Sequence, residues 1–263
     1  MSYALITGAS KGIGKAFAES LAKRQIDLLL VARTDSLLQQ LSDDLKNKYG
    51  VRAQYLALDL SQQDSAQKIF QWVDENNFDV QILINNAGYA LWGNFIELSL
   101  QEQNEMIAVN IFTMINLTHL LIPKLMLQNR AYILNLSSSA AYQAVPTITL
   151  YAAAKSFVLS FSRGLRRELN STPISVTCLS PGPTKTNFVE RARMFHMQKL
   201  SDKMSMSPED VAEFGIKGML AGKAEIIPGF TNQAGAFMAR IAPKNLVEKV
   251  AGGLYVKKEK RKK

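Results

Sequence analysis

Apolar residues fall into two alternating rhythms along this chain. Short apolar runs stand at Tyr3–Thr7, Asp27–Ala32, Ala53–Leu58, Ile82–Asn85, Ala131–Leu136, Ser175–Leu179 and Glu225–Ile227, and each is read as a strand. Between them, Gly14–Arg24, Ser36–Tyr49 and Ser61–Asn76 carry apolar side chains three and four residues apart with polar positions between, which is the spacing of a helix with one buried face. Strands alternating with helices predict an α/β fold: a doubly wound, seven-stranded parallel sheet with helices on both faces. No internal repeat or low-complexity tract precedes residue 257, so residues 1–256 are read as one domain followed by a basic tail, 257–263.

Two stretches interrupt the alternation. Ser180–Met206 is irregular, contains Pro181 and Pro183, and offers Phe188, Met194, Phe195, Met197, Met204 and Met206 before a helix start at Ser207-Pro208-Glu209-Asp210. It is expected to form a mobile apolar flap, residues 184–210. The second stretch is a helical cap over about 230–255. There Phe230, Ala234, Phe237, Met238 and Ile241 share a helical face until Pro243 breaks the run. The leading reading of that face is packing on the core, the alternatives a substrate lid or a membrane contact.

The composition, 47% apolar and 20% charged over 263 residues, is that of a globular body. A formal charge of +9 raises the question of a nucleic-acid partner, but the tail supplies +5 of it, with six basic side chains against Glu259, and the body is only mildly basic. No nucleic-acid binding is expected. The tail reads as a solubilising end or as a peripheral contact with anionic membrane. The first strand begins at Tyr3, leaving no room for a secretory leader, and no run of 18 apolar residues reads as a spanning helix. With the lone Cys178 these points lead to the expectation of a cytoplasmic, reducing location, and two histidines and one cysteine supply too few soft ligands for a zinc-type site, so no metal is expected.

The chemistry-bearing pattern begins at once. Thr7-Gly8-Ala9-Ser10-Lys11-Gly12-Ile13-Gly14 follows a strand and opens a helix, where glycines allow close backbone approach and the helix N-terminus offers free N–H groups to a pyrophosphate. At the end of the second strand a carboxylate would accept from a ribose 2′-OH and repel a 2′-phosphate. The chain instead has Ala32-Arg33-Thr34, and Arg33, helped by Lys11, suits the 2′-phosphate of NADP(H). Further on, Tyr151 and Lys155 are four residues apart on a helical segment and share one face. An ordinary tyrosine ionises near pH 10, and lowering that by about three units takes roughly 4 kcal/mol of anion stabilisation, which one cation at about 4 Å supplies at an effective dielectric near 20.

Taken in order, these residues resemble the short-chain dehydrogenase/reductase family: the glycine pattern Thr7–Gly14, Asp59 at a strand end, Asn-Asn-Ala-Gly at Asn85–Gly88, then Asn110, Ser138, Tyr151 and Lys155, and Pro181-Gly182 with Thr186. The likeness spans residues 3 to about 215. It implies an NADP-dependent enzyme acting on a CH–OH group, with Tyr151 as acid/base and Ser138 orienting the substrate oxygen. Lys155 would hold the nicotinamide ribose, and Asn110 would support a water that leads protons to it. It further implies cofactor contacts at Gly8, Ser10, Lys11, Gly12, Ile13, Gly14, Arg33, Asp59, Leu60, Asn86, Ala87, Gly88, Tyr151, Lys155, Pro181, Gly182, Thr184 and Thr186.

The chain departs from the family pattern at Ala154, where serine is usual, at Ala141, where glycine is frequent, and at its end, which continues past Ile227-Pro228-Gly229 into the cap. That ending resembles lipid-handling ketoreductases more than the short carrier-protein enzymes. It suggests a homo-oligomer, a dimer or tetramer, with the dimer through the helices before and after the Ser138 strand favoured. The Met-, Phe- and Val-rich flap suggests an apolar carbonyl/alcohol substrate, lipid-like in character. The alternative reading is a non-catalytic NADP(H)-binding sensor or scaffold on the same fold.

Overall fold

The computed structural model describes residues 2–194 and 205–255. Strands β1 (Tyr3–Thr7), β2 (Asp27–Ala32), β3 (Ala53–Ala57), β4 (Val80–Asn85), β5 (Ala131–Leu136), β6 (Ile174–Leu179) and β7 (Glu225–Ile226) form one sheet in the order β3-β2-β1-β4-β5-β6-β7, all neighbours parallel. Successive side chains of a strand leave on opposite faces, so a sheet covered on both sides must be apolar at every position. The central strands obey this. Ala4, Ile6, Leu28, Leu30, Ile82 and Ile84 enter a core beneath helices α1 (Gly12–Ala22), α2 (Asp35–Tyr49) and Pro208–Leu220. Leu5, Leu29, Val31, Leu83 and Ile133 enter the opposite core with α3 (Ser65–Glu75), α5 (Thr113–Met126) and α6 (Thr149–Glu168). The sheet order reverses between β1 and β4, and a crevice at the C-terminal ends of the strands follows from that reversal.

The bounds of β1, β2 and β5 agree with the sequence reading, and those of β3, β4, β6 and β7 differ from it by one or two residues. Helix α1 begins at Gly12 rather than Gly14, because the glycine loop enters the helix directly after Lys11. The helix start at Ser207 is present: its hydroxyl accepts from the Asp210 N–H at 3.0 Å. Within the flap, a four-residue helix α7 (Phe188–Arg191) stands apart, and Thr184 bridges to Met206. Phe195, Met197 and Met204 of the flap, and the basic tail, lie outside the described residues.

Two expectations are corrected. Helix α4 (Leu100–Ile107), a π turn (Ala108–Phe112) and α5 run on as one 27-residue helix, Leu100–Met126, which by length and composition could span a bilayer, although no unbroken apolar run announces it. Here its Leu117, Leu121 and Leu125 are buried in the core. The second correction is that the large apolar residues of the cap face do not pack on the core. In the helix Phe230–Ile241 the small Ala236 and Ala239 are buried, while Phe230, Phe237, Met238 and Ile241 are exposed. Large side chains need space that the underlying Ser139–Tyr142 turn does not leave, so the alanine stripe makes the close approach. After Pro243 a further helix, Lys244–Tyr255, follows.

Candidate active site

The crevice is a cavity of about 1120 Å³. One end is made by the loop after β1. Gly8 has φ +68°, and a Cβ on Gly14 would come within 2.1 Å of the Gly8 carbonyl oxygen, so that turn can be this tight only with glycine. The loop is braced from β4: Thr7 Oγ1 accepts from the N–H groups of Asn86 and Ala87, both at 3.1 Å, and Asn86 Nδ2 donates to Thr7 O at 2.9 Å and to Gly8 O at 3.2 Å. No side chain caps α1, and its first turn holds no acid, so its N–H groups and partial positive charge face the cavity. Ser10, Lys11 and Ile13 line the same end.

Beyond the loop, Arg33 follows β2, and Asp59 and Leu60 follow β3. Burial alone would push the Asp59 carboxyl up. The Ser61 N–H at 3.0 Å and hydroxyl at 2.9 Å, with Arg33 and Arg191 nearby, reverse this and hold it below the usual carboxylate range. Ala87 and Gly88 form the next stretch of wall, and Pro181, Gly182, Thr184 and Thr186 close the far side after β6, with Thr186 directly against Gly12.

Helix α6 delivers Tyr151 and Lys155 one turn apart, both buried, with Lys155 Nζ 5.7 Å from the centre of the Tyr151 ring. The ammonium donates to Leu136 O at 2.8 Å, at the end of β5. Burial holds its pKa at about 8, well below the ordinary lysine value. Ser137 Oγ donates to the Lys155 carbonyl at 2.8 Å and so ties β5 to α6, while the neighbouring Ser138 Oγ accepts from the Ala140 N–H at 3.1 Å and lines the cavity. Asn110 stands behind the wall. The π turn lets its amide donate to Tyr89 O and Met106 O, both at 2.9 Å, which leaves Oδ1 buried without a donor among the described residues. That oxygen faces Gly88: a Cβ there would lie 2.3 Å from it and 3.2 Å from Lys155 Nζ.

The structure thus gathers every candidate site residue named from the sequence around one cavity, Asn110 just behind it. It adds residues that the sequence reading had not assigned to the site, Phe188 having been read only as part of the flap. Phe188 of α7 packs on the Tyr151 ring at 5.5 Å, Arg191 lies over the Tyr89 ring at 4.2 Å, and Asn232 of the cap covers Gly182. None stands in a spacing that marks it. A buried polar relay also lies below the site, Asn85 Nδ2 to Asn135 Oδ1 at 2.8 Å and Asn135 Nδ2 to Ser162 Oγ at 3.0 Å; in the sequence Asn85 stands out in the Asn-Asn-Ala-Gly pattern and Asn135 as a polar residue in an apolar strand.

Residues 2–196 match the family described as short chain dehydrogenase. The chain belongs to that family. A very-long-chain 3-oxoacyl-CoA reductase of Mus musculus is 33% identical over 183 residues, 68% of this chain and 58% of that protein, so the chain spans less than two thirds of that relative. An NADP-dependent 3-hydroxy acid dehydrogenase of Schizosaccharomyces pombe is 33% identical over 217 residues, 80% of this chain and 83% of that one. Among solved structures, a short-chain dehydrogenase from Sphingobium yanoikuyae in complex with NADPH superposes with a TM-score of 0.81 at 28% identity, covering 91% of this chain and 93% of that one.

Proposed function

We propose that this member of the family is an NADP(H)-dependent oxidoreductase that interconverts a ketone and a secondary alcohol on an apolar, lipid-like substrate. The observation that carries the reading is the juxtaposition, in one cavity, of Tyr151 and Lys155 with a glycine loop at one end and apolar side chains at the other, among them Phe188, Met194, Leu246 and Val250. The cofactor fits the residues present: the glycine cradle would hold the pyrophosphate, Arg33 the 2′-phosphate, and the space before Gly88 the ribose and nicotinamide. When bound, that group supplies or accepts a hydride.

The chain's own residues do the rest. Tyr151 holds and moves the proton at its Oη, and Ser138 orients the substrate oxygen beside it. Lys155, charged below about pH 8, favours the phenolate and binds the ribose hydroxyls. Asn110 Oδ1 is an acceptor positioned to hold a water between itself and Lys155 Nζ. Names of relatives that act on 3-oxoacyl-CoA and on 3-hydroxy acids support a β-oxygenated acyl substrate.

The same reading extends to a homo-oligomer, to a cytoplasmic, reducing location consistent with the buried free Cys178, and to a peripheral contact of the tail with anionic membrane.

The test is NADPH oxidation across a homologous series of 3-oxoacyl esters and simple ketones. kcat/KM is expected to rise with chain length, by up to about 0.8 kcal/mol of binding per buried methylene, and Tyr151→Phe should abolish turnover while NADPH still binds. A flat series removes the lipid-like substrate. A Tyr151→Phe enzyme that keeps more than about a tenth of kcat, a loss under roughly 1.4 kcal/mol, removes Tyr151 as the acid/base.

A further inference from the structure

Four separate chain segments meet at the adenine end of the cavity: Arg33 after β2, Asp59 after β3, Tyr89 after β4, and Arg191 at the end of α7. Among the described residues, neither Arg33 nor Arg191 forms an ion pair, although the neighbouring Arg193 is held by Glu102 at 2.8 Å. The Arg191 guanidinium instead lies over the Tyr89 ring, 4.2 Å from its centre, and Arg191 lines the cavity wall. Its pKa is shifted down, first by burial and then by the charge of Arg33, with Tyr89 and Asp59 acting the other way. Two like charges therefore face one cavity, with the carboxylate of Asp59 acting against the charge on Arg191 and Glu105 and Glu190 also lining the wall.

Helix α7 is only four residues long, and its other end is Phe188, packed 5.5 Å from the Tyr151 ring at the catalytic end of the same cavity. One short helix consequently touches both the place where the nucleotide is selected and the place where the proton is transferred.

Resting on the reading that this cavity holds NADP(H), we infer that Arg191 is a second ligand for the 2′-phosphate, opposite Arg33, and that the phosphate thereby holds α7 over the nucleotide with Phe188 in its place on Tyr151. A dianion placed between two guanidiniums replaces repulsion by two charge-assisted contacts. NADH, lacking that phosphate, leaves the repulsion in place. Cofactor choice is then built partly into the segment that also borders the substrate, so the phosphate contributes to ordering the reaction end as well as to affinity. Arg193 lacks this role because Glu102 already neutralises it.

The experiment measures equilibrium Kd for NADPH, NADH and adenosine 2′,5′-bisphosphate in the wild type, Arg191→Ala, Arg191→Lys, Arg33→Ala, the double variant and Arg193→Ala, at one ionic strength. Arg191→Ala is expected to weaken NADPH and the bisphosphate by about tenfold or more while changing NADH by less than about twofold, with Arg191→Lys intermediate and Arg193→Ala unchanged. The two single losses should not add in the double variant, because both residues grip one group. Trypsin cleavage at Lys185 and Arg193 supplies a second readout: saturating NADPH should protect both bonds in the wild type, saturating NADH should not, and Arg191→Ala should lose the protection. An Arg191→Ala protein with unchanged NADPH affinity, or with equal losses for both nucleotides, overturns the inference while a selective loss in Arg33→Ala leaves the cofactor assignment standing. Wild type binding neither nucleotide overturns both.

Discussion

Lys155 shows what a single residue costs the fold for the sake of the site. Its ammonium is buried with one hydrogen bond to Leu136 O, and its pKa stands at about 8 against an ordinary value of 10.5. Below about pH 8 the folded and unfolded chains both carry the proton and the burial cost is present in full. Between about 8 and 10.5 the unfolded chain holds more protons, so stability rises with pH, by about 3 kcal/mol over that interval from this group. Lys155→Met is expected to be more stable than wild type at pH 7 by up to that amount less roughly 1 kcal/mol for the lost hydrogen bond, with the advantage shrinking toward pH 10.5, and to lose turnover. Thermal midpoints of both proteins at pH 7 and pH 10 check this; a variant less stable at pH 7 with an unchanged pH profile would refute it.

At the scale of elements, the site depends on two loops pressed together without side chains to spare. The π turn Ala108–Phe112 carries Asn110, and the loop after β4 passes so close that Gly88 has no space for a methyl group. Gly88→Ala must therefore push Asn110 Oδ1 and Lys155 Nζ apart. We expect a destabilisation of about 1–3 kcal/mol from overpacking and, in protein that remains folded, a loss of kcat of at least about tenfold with NADPH affinity less affected. Near-normal kcat in the folded variant would mean that Asn110 and Lys155 do not act as a unit. Helices were legible because a buried face repeats about every 3.6 residues, and strands because a sheet covered on both faces leaves short unbroken apolar runs. The π turn was not, since one extra residue in a helical turn leaves no periodic mark over five positions.

For the whole molecule, the decisive feature is which apolar faces remain uncovered. Phe112 and Met126 on the Leu100–Met126 helix and Phe157 on α6 form one exposed set, beside the strand that leads to Ser138. Phe230 at 83% exposure, Phe237 and Ile241 form another on the cap. The two sets make separate predictions within one experiment. For the proposed dimer through the first set, Phe157→Asp should give a monomer by light scattering while leaving binding to anionic vesicles unchanged; for the proposed membrane contact, Phe237→Asp with Ile241→Asp should reduce vesicle binding and leave the oligomer intact. If both substitutions affect both readouts, or neither does, the division of the surface into a subunit face and a membrane face is wrong.

The architecture and most of the candidate site were readable from sequence because their determinants are local. The unbroken apolar run Leu28 to Ala32 marks a strand, the Thr7–Gly14 loop marks a tight turn into a helix, and the spacing of Tyr151 and Lys155 puts them on one face whatever surrounds them. Arg33 was readable because it follows a strand end directly. Tertiary structure alone decided the rest. Arg191 meets Tyr89 across more than a hundred residues of chain, and Asn232 reaches Gly182 from the cap. Small alanines, not the large apolar residues beside them, make the cap's close approach. Such contacts depend on which segments the folded sheet brings to one end and on the volume left between them, and neither distance across space nor available volume is encoded by any window of neighbouring residues.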